Sequence, residues 1–133
     1  MLLIDKLSQK PIYEQIIDGI ERNILLGIYP AGSLLPSVRE QSVTLGINPN
    51  TIQKSYAELT RRGIISPSPG SGCFVSYDAR SLLCEEARKK LPRLSELLTE
   101  LRIAGIEQDE ILGAVASVYT KDDLPRPDKE VSK

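Results

Sequence analysis

Histidine and tryptophan are absent from this 133-residue chain, and phenylalanine and methionine occur once each. Without histidine the chain lacks the commonest general base and the commonest transition-metal ligand. No Walker-type phosphate loop, GxSxG elbow or GxGxxG turn occurs. These absences argue against an enzyme, and no catalytic residue, metal site or cofactor is assigned. Cysteine is also scarce. Cys73 and Cys84 form no CxxC pair and are too few for a secreted disulfide scaffold, so they read as free thiols in a reducing compartment. Long apolar runs are missing as well. The opening "MLLIDKLSQK" meets charge too early for a signal peptide, and no stretch could span a bilayer. The expected location is therefore the cytoplasm, with no membrane partner. With so few aromatic residues, aliphatic side chains must fill the core. The 41% hydrophobic content supports one small domain with an appendage.

A net charge of −1 and a pI near 5.5 speak against nucleic-acid binding when the chain is taken whole. The distribution speaks differently. From Pro36 to Ser76 the basic residues are Arg39, Lys54, Arg61 and Arg62, against Glu40 and Glu58, a local excess of +2 (4 − 2). Acid gathers toward the C-terminus.

What is present is strong helical punctuation. Ile12, Ile16, Ile20 and Ile24 recur every four residues between Pro11 and Gly27, which predicts a first helix with one apolar face. "YPAGSLLPS" reads as a loop with a short strand at Ser33 to Leu35. "SVRE" is a capping box that opens a short second helix at Ser37, and Gly46 is a natural left-handed stop. A third helix follows, with Asn48 as cap and Pro49 at its first position. Ile47 and Ile52 have staple spacing, and Ile52, Tyr56 and Leu59 form a buried stripe. The opposite face carries Asn50, Lys54, Ala57 and Arg61, flanked by Thr51 and Gln53. "GIISPSPGSGCFVSY" predicts a hairpin with strands at Ile64 to Ser66 and Cys73 to Tyr77. Two helices joined at a glycine turn and followed by a hairpin make a winged helix-turn-helix.

The third helix begins with more hydrogen-bonding side chains than one cap requires. Free amides and the helix dipole at that end would attract a phosphate. Asparagine and glutamine pair with adenine edges, and lysine with guanine. A solvated surface helix with an ordinary cap is the alternative reading of the same residues. Arg61, two turns on, would touch phosphate at most.

Together "PIYEQI", "LPSVRE", "LGINPNTIQKSYAEL", "RRGII" and "GSGCFV" resemble the winged helix of the GntR family of bacterial transcription regulators, in particular its YtrA subfamily. The resemblance runs from about Lys10 to Tyr77. It implies a sequence-specific DNA-binding regulator, a repressor that binds a palindromic operator as a homodimer. It further implies autorepression and control of an adjacent transporter operon. The family's DNA contacts fall on Ser37 and Arg39 in the second helix, on Asn48, Asn50, Thr51, Gln53 and Lys54 in the third, and on Gly70 at the wing tip. Two departures stand out. Pro49 occupies a position where many members carry arginine, and Cys73 replaces the threonine of the usual GTFV strand. Ser37 and Gly70 also have purely structural readings, as cap and as turn residue.

After Asp78 the pattern changes to a leucine seam. A long helix is expected over Ala79 to Ala104, kinked or broken at Pro92, and a last one over Gln108 to Tyr119. Leu83, Leu91, Leu94, Leu98 and Leu101, with Ile111, Val115 and Val118, are more apolar surface than two helices bury alone, so a dimer interface is the economical reading. So short an extension rarely encloses a pocket of the usual few hundred Å3, and no small-molecule effector is assigned. The expected fold is mainly α with a small β-hairpin. A winged helix-turn-helix spans 10–78, a helical dimerisation segment 79–120, and a disordered charged tail 121–133. A winged-helix protein-interaction module is the alternative that the acidic pI favours.

Overall fold

The computed structural model describes residues 2–121. Six helices and a two-stranded sheet follow one another as α1 (Ile12–Leu25), α2 (Val38–Leu45), α3 (Pro49–Arg61), β1 (Ile65–Ser68), β2 (Gly72–Val75), α4 (Ala79–Arg88), α5 (Leu91–Ile103) and α6 (Gln108–Tyr119). The chain divides into two compact units between Cys84 and Glu85. No helix among the described residues is long and apolar enough to cross a membrane.

The first unit is a winged helix-turn-helix. Pro11 precedes α1 at the cap position, where its missing amide costs nothing, and its carbonyl accepts from the amides of Glu14 and Gln15. Ile16, Ile20 and Ile24 are buried as their spacing predicts. Ser37 and Glu40 close the capping box of α2. Gly46 takes the left-handed conformation, φ 66°, and donates to the Ser42 carbonyl at 3.0 Å. Ile47 and Ile52, on either side of the α3 cap, both lie in the core. Ser55 Oγ donates to the Tyr13 carbonyl at 2.9 Å, tying α3 to α1. The Tyr56 hydroxyl donates to the Pro36 carbonyl at 2.6 Å, tying α3 to the start of α2. Burial holds the Tyr56 phenol above its ordinary pKa, so it remains a donor.

β1 and β2 pair antiparallel with Ile65 opposite Val75 and Ser68 opposite Gly72. The strands are shifted from expectation: β1 starts at Ile65, and β2 ends at Val75, leaving Tyr77 exposed. The expected strand near Leu34 is a single bridge to Phe74. It covers the free edge of β2 through bonds from Leu35 to Cys73, Gly32 to Val75 and Val75 to Ser33. Pro67, which has no amide to donate, sits on the outer strand, where that loss is tolerated. Cys73 is half-buried and Cys84 exposed; both are free thiols, and burial pushes the Cys73 thiol up and away from its reactive thiolate form.

The break expected at Pro92 is present: the helical run ends at Arg88 and restarts at Leu91, because a proline is accommodated only in a first turn. Two expectations need correction. Leu83, expected in the dimer seam, is 4% exposed and belongs with Ala79 to the core of the first unit. One turn of α4 places both residues on the same face, and that face completes the core. The first unit therefore runs past residue 78. It also takes in the N-terminal segment, whose Leu2 is buried.

In the second unit neither α5 nor α6 contains a buried residue. Leu91, Leu94, Leu97, Leu98, Leu112, Val115 and Val118 are exposed, whereas Leu101 and Ile111 are half-buried. The tail expected from residue 121 lies, past Lys121, outside the described residues.

Leu83→Ala should destabilise the chain by about 2–5 kcal/mol, as for a core leucine. Leu94→Ala should leave the stability of the first unit unchanged. Urea unfolding followed by circular dichroism checks both; equal effects would return Leu83 to the seam. Ile52→Asn, which places an amide in the fully buried stripe, should unfold the first unit.

Candidate nucleic-acid interface

Burial of Ile52, Ser55, Tyr56 and Leu59 fixes the rotation of α3 about its axis. Asn50, Gln53, Lys54 and Ala57 are consequently exposed, as the helical period requires, and Thr51 is half-buried at their flank. Neither the Asn50 nor the Gln53 side chain has a hydrogen-bond partner among the described residues. Asn48 Oδ1 accepts the amide of Asn50 at 2.7 Å, which leaves the Asn48 amide group as a donor.

The first turn of α3 is not an open cluster of amides. Pro49 has none, the Asn50 amide is taken by the cap, and that of Thr51 bonds the Asn48 carbonyl at 3.0 Å. The expectation of free backbone donors at this end is thus corrected. What α3 presents there is a row of side chains in the field of the helix dipole. At the start of α2, Ser37 Oγ accepts the amide of Glu40 at 3.0 Å, and Glu40 Oε1 accepts that of Ser37 at 2.8 Å. The amides of Val38 and Arg39 make no hydrogen bond among the described residues, so the unfilled helix N-terminus belongs to α2.

The cations are not equivalent. Arg61 holds Glu58 bidentately, Nε to Oε1 at 2.9 Å and Nη2 to Oε2 at 2.7 Å. That bond lowers the Glu58 pKa and raises that of Arg61. Arg62 Nη1 meets Glu21 Oε2 at 2.6 Å. Both arginines are thereby offset by acid, and Arg61 loses most of its claim on a phosphate. Arg39 is exposed and makes no ion pair among the described residues. Lys54 Nζ lies 3.9 Å from the centroid of the Tyr13 ring. A cation–π contact at an exposed site is worth about 0.5–1 kcal/mol, less than the roughly 1–3 kcal/mol of a good base contact. Tyr13 therefore orders Lys54 without consuming its donors. The Tyr13 contact has no periodic signal in the sequence, whereas Glu58 and Arg61 have the i,i+3 spacing of a helical ion pair.

A groove of about 710 Å3 lies between α1 and α3. Four basic and four acidic side chains line it, so it has no net charge to attract an anion. At the wing, Ser71 donates to the Ser68 carbonyl at 2.8 Å, and Gly70 and Gly72 have φ of 75° and 85°. Gly70 has open space where a side chain would stand, so its backbone can approach another molecule closely. The structure therefore brings Ser37, Arg39, Asn48, Asn50, Thr51, Gln53, Lys54 and Gly70 into one unit, all but Thr51 exposed. No group of three or more metal-ligating side chains occurs among the described residues.

Comparison with known proteins gives a consistent picture. The family model "Bacterial regulatory proteins, gntR family" matches residues 12–75. The chain is 39% identical over 112 residues to the HTH-type transcriptional repressor YtrA of Bacillus subtilis, covering 84% of this chain and 86% of that protein. It is 36% identical to the B. subtilis HTH-type regulator YhcF, over 81% of this chain and 89% of the relative. Among solved structures, a GntR family transcriptional regulator from Listeria monocytogenes superposes with a TM-score of 0.70 at 36% identity, over 83% of this chain and 96% of that one. YtrA from Sulfolobus acidocaldarius, a GntR-family transcription factor, gives 0.55 at 34% identity, over 68% and 97%.

The capping box makes a pH-dependent contribution. Hydrogen bonds from the Ser37 backbone and side chain lower the Glu40 pKa. The stabilisation is complete above the unfolded carboxylate value of about 4.3 and is lost as pH falls through the lowered folded value. Glu40→Ala should thus melt below wild type at neutral pH, with the gap closing as pH falls below about 4. A gap independent of pH would assign the effect to helix propensity alone.

Proposed function

The chain belongs to the GntR family of bacterial regulatory proteins and is a DNA-binding transcriptional regulator, and from that premise we propose that it is a cytoplasmic repressor that grips a palindromic operator as a homodimer. One observation carries the reading. The rotation of α3 presents Asn48, Asn50, Gln53 and Lys54 outward, with no ion pair to occupy them, while the cations further along the helix are held by acid. Asn50 and Gln53 read base edges, and Lys54 reads a guanine or a flanking phosphate. Ser37 and Arg39 at the unfilled start of α2, and Gly70 at the wing tip, hold the backbone. The likeness to a B. subtilis protein named as a repressor supports repression over activation. Control of its own operon and of a neighbouring transporter is the regulatory role that fits this subfamily.

The apolar face of α5 and α6 is the proposed dimer interface. Leu91, Leu94, Leu98, Leu101, Ile111, Val115 and Val118 belong to it, joined by Leu97 and Leu112. A second copy is its natural occupant, because a two-fold axis that joins identical faces also matches two half-sites of a palindrome.

Selection of bound duplexes from a random pool should return an inverted repeat with half-sites spaced by about one helical turn or a multiple of it; recovery of no enriched sequence would overturn the reading. On the selected site Asn50→Ala should cost about 1–3 kcal/mol, with little change on scrambled DNA. Equal loss on both would make α3 a phosphate clamp. A chain ending at Arg88 keeps the whole first unit, including Leu83. It should sediment as a monomer and bind the selected site about 100-fold more weakly. Dimeric sedimentation of that chain would move the interface elsewhere.

A further inference from the structure

The N-terminal segment, residues 2–10, precedes every recognised motif, yet it is tightly held to the first unit. Leu2 is buried against Gly19 of α1, where a side chain on the glycine would stand 2.7 Å from Leu2 Cδ2. Ile4 packs against the same core. Gln15 clamps the backbone between them and α1. Its Oε1 accepts the Asp5 amide at 2.8 Å, and its Nε2 donates to the carbonyls of Asp5 and Lys10, both at 2.9 Å. Asp5 then turns the chain, its Oδ1 accepting from the Leu7 amide at 2.9 Å and its carbonyl from the Ser8 amide at 3.2 Å. The residue held in the middle of this turn is Lys6.

Lys6 Nζ lies 3.5 Å from the carbonyl of Gly46, the glycine at which the chain turns from α2 into α3. That is a long contact, and it leaves at least two of the three ammonium donors uncommitted. The Asp5 carboxylate beside it is engaged by the Leu7 amide rather than by Lys6. Two residues, at most about 7 Å of chain, separate Gly46 from Asn48, where the outward row of α3 begins. A cation whose backbone is fixed on both sides loses less freedom on binding than one on a loose arm.

We propose that Lys6, held by the Gln15 clamp against the turn between α2 and α3, contacts a DNA phosphate and so makes the N-terminal segment a fourth part of the DNA-binding surface, beside the start of α2, α3 and the wing. The inference rests on the DNA-binding reading above. Lys6 neutralises one backbone charge and carries no sequence preference, because an ammonium meets a phosphate as a point charge. The competing role is internal: a cation at the C-terminal end of α2 that only satisfies the helix dipole.

The test measures binding of wild type, Lys6→Gln and Lys6→Arg to the selected duplex and to its scrambled counterpart across a salt series, with a melting curve for each protein. Lys6→Gln should weaken both duplexes by the same factor at a given salt and flatten the log–log salt slope by about 0.9. Its melting temperature should match wild type, and Lys6→Arg should retain the slope. An unchanged slope for Lys6→Gln, with wild type binding normally, overturns the contact, and a lowered melting temperature would then identify the helix-capping role. Failure of wild type to bind either duplex overturns the regulatory reading itself, and this contact with it.

Discussion

The rotation of α3 is the constraint on which the rest of this molecule depends. Ile52, Ser55, Tyr56 and Leu59 bury one face, and a helix with 3.6 residues per turn then has no freedom over which residues face outward. Two hydrogen bonds lock the choice: Ser55 to the Tyr13 carbonyl and Tyr56 to the Pro36 carbonyl. Both acceptors are backbone atoms, so the fit does not depend on side chains elsewhere that could adopt other rotamers. Leaving either partner unsatisfied inside the core would cost more than the bond itself is worth. A firmly held helix follows from the burial, and the surface chemistry of Asn50, Gln53 and Lys54 is a consequence of where the core lies.

Charge is organised on top of that frame by local pairing rather than by overall balance. An acidic chain binds an acidic polymer only if its few uncommitted cations lie where the polymer does. Glu58 and Glu21 take up Arg61 and Arg62, Asp18 takes up Lys10, and Glu40 is spent on the α2 cap. Arg39 and Lys54 remain exposed and outside any ion pair among the described residues, and Lys54 is pre-ordered by an aromatic ring that leaves its donors available. The overall pI, which favoured a protein-interaction module, averages over pairs that cancel each other and so says little about this face.

Much of this was legible because it is local. The capping box at Ser37, the Asn48–Pro49 start, the left-handed Gly46 and the α3 stripe each depend on residues within one or two turns, and each is where its pattern placed it. What escaped depends on contacts distant in sequence. Leu83 has seam spacing and core burial at once, and only its packing into the core of the first unit decides between them. Lys6 and Gly46 are 40 residues apart, and no period connects them. The α3 amides were misjudged for a different reason: the cap, the proline and a tight first turn each remove one donor, and their sum empties the site. The family resemblance reached further than the local patterns, since it named the exposed row as a DNA surface; the Tyr13 contact with Lys54 and the Gln15 clamp came only from coordinates.

The two units differ in what makes them stable. The first has a closed aliphatic core reaching from Leu2 to Leu83, and its fold is complete within one chain. The second has helices with no buried residue and leucines at about half exposure. Helices of 13 and 12 residues gain too little from their own hydrogen bonds to be stable alone in water. On the proposed dimer, the order of α5 and α6 is supplied by the partner copy, so folding of this unit and association become one equilibrium that depends on protein concentration. A regulator built in this way couples its operator affinity to its own abundance. On that proposal the half-site readers would be separate and weak at low concentration, and would act together once the leucine face closed as the chain accumulated. Such coupling would suit the proposed repression of its own operon, because the quantity controlled would be the quantity that switches the regulator on.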